Sequence, residues 1–212
     1  MPPTPLTPDT PPTTPFARAQ AQGEEALRAA VLDLAAGLLA DEGPAALSMR
    51  RLAAAAGCST TVLYRLFGAK EGIAAALYRE GFARLHRRLA EVPRGDDPAA
   101  YLAAVGRAYR ANALAEPNFY SVMHGEGIPG FVPDEESRAA AAASLDVLRE
   151  AARGCVEAGV LRPDADVDEI TDTLWAAAHG VISLERGGHF PDGRGEQRFR
   201  TLTRAAVNAF LP

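Results

Sequence analysis

Leu27, Val31, Leu34 and Leu38 recur at spacings of four, three and four, the repeat of one amphipathic helix that starts near Gly23 and stops at the breaker Asp41-Glu42-Gly43-Pro44. Ser48 is placed as the N-cap of a second short helix in which Leu52 and Ala53 to Ala56 pack inward, and Gly57 breaks it. Ser59 as N-cap and Gly68 as stop bound a third, Thr60 to Phe67. At about 100° per residue, Val62, Leu63, Leu66 and Phe67 share one arc of that helix, and Thr60, Thr61, Tyr64 and Arg65 share the other. One side is wholly apolar, and the other presents hydroxyls, a phenol and a guanidinium. A fourth helix runs from Lys70 to about Val92 and ends at Pro93. After a turn at Arg94 to Asp97, Pro98 fits the first position of a fifth helix, through Leu114. Pro117 opens a sixth, to about Met123, and the glycines and prolines of Gly125 to Pro133 require a loop. The last three helices run from about Asp134 to Ala158, stopped by Gly159, from Asp166 to Glu185, and from Gly195 to Phe210. No strand-like alternation occurs, so the chain is expected to be all-α with about nine helices.

The first sixteen residues, MPPTPLTPDTPPTTPF, have no apolar period and few backbone donors, which predicts a disordered Pro/Thr-rich tail. Such a tail is either a plain flexible extension or a ligand for an SH3-type domain. An apolar fraction of 48% and a charged fraction of 23% fit an ordinary globular protein. No apolar run is long enough to cross a membrane, and no secretory signal opens the chain. Cys58 and Cys155, far apart and without further cysteines, point to a reducing cytoplasm and no disulfide framework. Charge is unevenly spread along the chain. Residues 48–88 hold eight basic and two acidic side chains, a balance of +6, whereas from residue 93 onward twelve basic face eighteen acidic, a balance of −6. The basic part could meet phosphates while the rest stays off them, or the arginines from 79 to 88 could simply solvate a helix face.

The second and third helices, joined by the turn Gly57-Cys58-Ser59, have the spacing of a helix-turn-helix. Gly57 supplies the positive φ of the turn, and Cys58 is placed as a small apolar plug between the helices or, alternatively, as a redox sensor. Here the segment from Leu27 to Leu77 resembles the DNA-binding domain of the TetR/AcrR family of transcriptional regulators. The matching pieces are the first-helix leucines, "LSMRRLAAAAGCS", "TTVLYRLF" and "KEGI". The resemblance implies that Thr60, Thr61 and Arg65 sit where the family reads base edges, and Tyr64 where it touches phosphate. Ser48, Arg50 and Lys70 match its other DNA-contacting positions. An arginine can pair with guanine and a threonine methyl can meet thymine, which agrees with the implied roles. Lys70 at a helix start adds charge where backbone amides already favour phosphate. Gly68-Ala69 and Gly72 depart from the family pattern, which leads us to expect a looser start to the fourth helix.

In the second half, "LWAAAHGVISLE" (174–185) and "EPNFYSVMHG" (116–125) resemble a C-terminal subtype of the family named for its Trp, His and Gly, here Trp175, His179 and Gly180. Trp175 and His179 share a helix face and either pack in the core or line a ligand cavity. The candidate ligand-binding residues are Tyr109, Phe119, Tyr120, Met123, Phe131, Trp175 and His179. The resemblance implies a homodimer through the last two helices, with Leu174, Val181, Leu184, Leu202, Ala206 and Phe210 as apolar positions shared between the subunit's own core and its partner. The four histidines show neither a zinc spacing nor a catalytic pattern, and no nucleophile elbow or phosphate loop occurs, so no enzyme and no cofactor are expected. His124, Glu126 and His179 are a weaker grouping for a metal.

These readings divide the chain into the tail at 1–16, a helix-turn-helix DNA-binding domain at 17–77 and an effector-binding and dimerisation domain at 78–212. The expected protein is a repressor in the cytoplasm. It binds a palindromic operator in double-stranded DNA, releases it for a small, mainly hydrophobic effector, and has no membrane partner. The alternative is a helical partner-binding or metal-sensing protein with a vestigial helix-turn-helix.

Overall fold

The computed structural model describes residues 14–124, 128–191 and 193–212. Among them are nine α-helices: α1 (Pro15–Glu42), α2 (Met49–Ala56), α3 (Thr60–Phe67), α4 (Lys70–Ala90), α5 (Pro98–Ala115), α6 (Pro117–Met123), α7 (Glu135–Glu157), α8 (Val167–Arg186) and α9 (Gly195–Asn208), with a 3₁₀ turn at Pro44–Ala46. No strand interrupts them, and the order is the one that the apolar periods predict. The chain forms two units, residues up to Ile73 and residues from Ala74 onward, and the division falls inside α4.

Helix ends follow side-chain chemistry. Asp97, Asp134 and Asp166 each accept a hydrogen bond from the first turn of α5, α7 and α8. Ser48 caps α2 in the same way, accepting from the Arg51 N–H at 3.2 Å. Ser59 takes the N-cap position of α3 with extended backbone, but its side chain makes no capping bond.

The first helix begins earlier than its apolar period does. Thr14 accepts from the Ala17 N–H at 3.1 Å, and Pro15 brings a φ suited to a first turn, so Pro15 and Phe16, expected in the tail, lie in α1. Residues 16 to 26 of this helix are largely exposed and bury no stripe, which is why no period announces them. The rest of the expected tail, residues 1–13, lies outside the described residues.

In the N-terminal unit, Val31, Leu32, Ala35 and Leu39 of α1 are buried, as are Leu47, Leu52 and Ala53, and Leu63 and Phe67 of α3. The second unit has its own core, in which Phe82, Leu85 and Leu89 of α4 join Leu102 and Val105 of α5, Ile170 and Ile182 of α8, and Phe199 of α9.

Candidate functional site

Gly57 makes the turn between α2 and α3 with φ 66° and ψ 27°, a left-handed conformation that a β-carbon resists. Its N–H returns to the carbonyls of Ala53 and Ala54, which fixes where α3 starts. Cys58 is half-buried in this turn. With Leu63 and Phe67 turned into the core, the opposite side of α3 faces water: Thr61, Tyr64 and Arg65 are exposed and Thr60 is half-buried. Tyr64 leaves 53% of its surface in solvent. Ser48 and Arg50 at the start of α2 and Lys70 at the start of α4 are exposed as well. Among the described residues the Ser48 hydroxyl is occupied only as an acceptor, so its own proton remains available. Arg65 Nε stands 3.9 Å from a carboxylate oxygen of Glu24, a solvent-exposed pair that costs little to exchange for another anion.

Arg28 was not legible as part of this site. Its Nη1 donates to the Leu66 carbonyl at 2.7 Å, and its guanidinium lies 4.7 Å from the centre of the Phe67 ring. It pins the last turn of α3 to α1 through a backbone oxygen, which no residue type advertises. Gly72 also has a definite place. A β-carbon there would meet the Phe67 carbonyl oxygen at 1.8 Å, so the glycine permits a tight α3–α4 turn instead of loosening it.

The basic excess of residues 48–88 is only partly available to a nucleic acid. Arg79 reaches Glu136 at 3.2 Å and Asp134 at 3.7 Å. Arg84 pairs with Glu80 at 2.8 Å and Glu116 at 3.1 Å, and Arg87 pairs with Glu80 at 3.1 Å. These three arginines tie α4 to its own carboxylates and to those around α6 and α7. Arg51 likewise pairs with Glu42.

The second unit holds a cavity of about 380 Å³. Leu89 of α4, Leu102, Val105 and Tyr109 of α5, Leu145 and Leu148 of α7, Leu174, Trp175 and Ala178 of α8, and Phe199 of α9 form its walls. Exposed Ala99, Ala103 and Arg107 on α5 and Arg200 and Arg204 on α9 edge it, so it opens to solvent between those two helices. Of the seven side chains expected around a ligand, Tyr109 and Trp175 are on this wall, joined by a 3.2 Å hydrogen bond from the indole N–H to the Tyr109 hydroxyl.

The other five lie elsewhere. The Tyr120 hydroxyl is 2.7 Å from His179 Nδ1, and Ser183 Oγ is 3.4 Å from His179 Nε2. His124 packs against His179 with ring centres 4.2 Å apart. Phe119 carries the Arg84 guanidinium 4.2 Å above its ring. Met123 fills the space beside Gly81, and Phe131 packs on Tyr78 at 5.5 Å. Burial raises the Tyr120 phenol well above its ordinary range. His124 is pulled down to about 3, first by burial and then by the charges of His179 and Arg186, and its buried Nε2 has no hydrogen-bond partner among the described residues. Among the described residues no group of three or more His, Cys, Asp or Glu is placed to hold a metal ion. Glu126 and Gly125 of the expected metal grouping and loop lie outside them.

Along α8, α9 and the turn that follows α9, the structure sorts the six apolar positions. Leu174, Val181 and Phe210 are buried in the unit's own core, and Ala206 packs against it. Leu184 and Leu202 remain 46% and 44% exposed on one shallow groove, beside Gly180, Thr201 and Ala205.

A helix-turn-helix whose second helix faces water, followed by a helical unit built around a cavity, defines a DNA-binding transcriptional regulator. The chain belongs to the TetR family of bacterial regulatory proteins. Residues 31–77 match the family described as "Bacterial regulatory proteins, tetR family", and residues 102–209 match "Tetracyclin repressor-like, C-terminal domain". As a member of a family of non-enzymatic regulators, the protein is not an enzyme. No curated protein matches the chain. Among solved structures, a protein of unknown function from Rhodococcus sp. RHA1 is similar with a TM-score of 0.75 and 26% identity, over 88% of this chain and 96% of that one. The TetR family transcriptional regulator PfmR from Thermus thermophilus is similar with a TM-score of 0.67 and 26% identity, over 84% of this chain and 97% of that one. The ketosteroid transcriptional regulator KstR2 of Mycobacterium tuberculosis, at 19% identity, shares the fold with a TM-score of 0.60, over 87% of this chain and 95% of that one. Among the described residues no helix is long and apolar enough to cross a membrane.

Proposed function

We propose that the protein is a homodimeric repressor that works in the cytoplasm on a palindromic operator and leaves it when a small, mainly apolar effector binds. The observation that carries this reading is the α5–α9 cavity of about 380 Å³, apolar along its walls and within the size range of small-molecule sites. In this reading Thr60, Thr61 and Arg65 meet base edges, while Ser48, Arg50, Tyr64 and Lys70 meet phosphates. One helix-turn-helix covers too few base pairs for tight specific binding, and a two-fold dimer doubles the contacts on a palindrome. Exposed Leu184 and Leu202 supply the apolar centre of an α8–α9 interface.

The switch needs an effector that prefers the conformation in which the DNA-binding heads are badly spaced. Trp175 and Tyr109 feel the cavity directly. Behind them, Tyr120, His179 and His124 reach Phe82 of α4, at 6.3 Å from the His124 ring. Helix α4, which runs from Lys70 to Ala90, belongs to both units. A coupling of about 1–3 kcal/mol releases DNA 5- to 150-fold.

A mobility shift on the DNA upstream of the protein's own coding region, at two salt concentrations, tests the first half. A specific complex that weakens with salt is expected, and binding no tighter than to random DNA would sink it. For the second half, Ala103→Trp at the cavity edge should block entry, leaving operator binding intact and abolishing release. Undiminished release by that variant would place the effector elsewhere.

A further inference from the structure

The cavity's polar atoms are unequally committed. The Tyr109 hydroxyl receives the Trp175 N–H, and the Thr203 hydroxyl donates to the Phe199 carbonyl of its own helix at 2.8 Å. Burial pushes the Cys155 thiol up, with help from Asp97, so it offers a guest no charge. That leaves Arg107, Arg200 and Arg204, all at the exposed edge. Arg107 and Arg204 have no carboxylate partner among the described residues, and Arg200 has only Glu196 at 3.8 Å, with both side chains largely in solvent. Asp97, whose charge reaches Cys155, is turned onto the N–H groups of Ala99 and Ala100 as the cap of α5. Three exposed arginines thus edge an apolar cavity in a part of the chain where acidic residues outnumber basic ones, eighteen to twelve.

We propose that the effector is an anionic amphiphile: its apolar body fills the cavity, and its carboxylate or phosphate headgroup sits between α5 and α9 on Arg107, Arg200 and Arg204. The proposal rests on the reading of this cavity as the effector site. Guanidinium forks match both headgroups, and such charge-assisted hydrogen bonds are about twice as strong as neutral ones. At about 30 Å³ per water-sized group, a cavity of about 380 Å³ holds on the order of a dozen methylene-sized groups, a short chain or a small fused ring system. A neutral molecule of the same shape would leave Arg107 and Arg204 without an anion, which is what separates one apolar guest from another here.

The test titrates the full-length protein with decanoate, decyl phosphate, 1-decanol and decylammonium, following Trp175, the only tryptophan, by fluorescence. We expect one or both anions to bind about tenfold or more tighter than 1-decanol, and the two anionic arms tell carboxylate from phosphate. Arg107→Ala/Arg204→Ala should remove that advantage while 1-decanol binds as before, and Arg107→Glu/Arg204→Glu should turn the preference towards decylammonium. Thermal melts of each variant without ligand separate misfolding from lost recognition, since these side chains are exposed. Equal binding of anion and alcohol, or an advantage that survives both double variants, overturns the proposal and leaves an effector cavity of neutral preference. Binding of none of the four probes overturns the cavity reading and this inference together.

Discussion

The β-carbon that Gly72 lacks would lie 1.8 Å from the carbonyl oxygen of Phe67. The obstacle is backbone, so a substitution must open the α3–α4 turn itself. Gly72→Ala should therefore cost about 1–3 kcal/mol of stability, read as a fall in the urea midpoint, and weaken DNA binding as α3 shifts. Gly81→Ala is the contrast, because a β-carbon there meets the Met123 side chain, 2.6 Å from its Cγ, which can swing aside. Equal losses at the two sites would show that the turn is not the tight point.

Arg28 holds α3 by its last turn without facing outward. Removing its bond to the Leu66 carbonyl and its contact with Phe67 should destabilise the N-terminal unit by about 1–3 kcal/mol. Operator and random DNA should both bind more weakly to Arg28→Ala, by similar factors, since every contact of α3 is displaced alike. Arg28→Lys keeps the charge but not the planar stack, and should restore only part of the loss. A selective loss of operator binding in Arg28→Ala would instead mean that this arginine reads sequence.

Base and phosphate contacts respond differently to deletion. Arg65→Ala should lose about 1–3 kcal/mol on the operator and much less on random DNA. Lys70→Ala should weaken both and lower the salt slope by about one. Binding isotherms on two DNA sequences at three salt concentrations separate the cases. If Arg65→Ala weakened both sequences equally, its role would be phosphate contact.

Assembly is addressed by Leu184 and Leu202, the two large apolar side chains that α8 and α9 leave in solvent on one groove. Leu184→Glu/Leu202→Glu should sediment as a monomer at micromolar concentration and lose high-affinity operator binding, with the monomer's helix content unchanged. A dimer that persists in the double variant would place the interface elsewhere.

His124 gives the protein an acid-side weakness. Its folded-state value is about 3 against an ordinary 6.5, so below pH 6.5 the unfolded chain takes up a proton that the folded chain refuses. Stability on this account is complete above pH 6.5 and falls as pH drops toward 3, by at most about 1.4 kcal/mol per unit. His124→Phe should flatten the slope of the urea midpoint between pH 6.5 and 4.5. An unchanged slope would assign the acid sensitivity to other groups.

The helix order was legible because its signals are local: Gly57, Gly159 and Pro98 mark ends, and apolar repeats mark faces. The solvent-facing side of α3 was legible for the same reason, since Thr60 to Phe67 is short enough for one period to divide it. What stayed hidden depends on partners distant in sequence. Leu174 and Leu184 are alike in type and lie on one helix, yet one is buried and the other half in water, and only packing against α5 and α9 decides which. That five of the seven expected ligand residues do not line the α5–α9 cavity has a related reason. Reading chemistry drew attention to the aromatic and imidazole side chains around Tyr120 and His179, but those groups pack against one another. The space lies where Ala99, Ala103, Gly106 and Ala178 supply little side chain, and missing volume has no signature in a sequence.

The same cavity bears on how long the protein lasts. Helices α4, α5, α7, α8 and α9 all contribute to its wall, so it interrupts the packing of most of the second unit's long helices. Space that side chains do not fill forgoes contacts, and a guest that supplies them acts as a replaceable piece of the core. At a hundred times its dissociation constant such a guest adds about 2.7 kcal/mol to the folded state. Proteases that attack transiently opened chains would then meet a scarcer target. Under the proposed function, turnover of the regulator would be tied to the supply of its effector: binding would not only free the operator but also preserve a pool of protein ready to close it again.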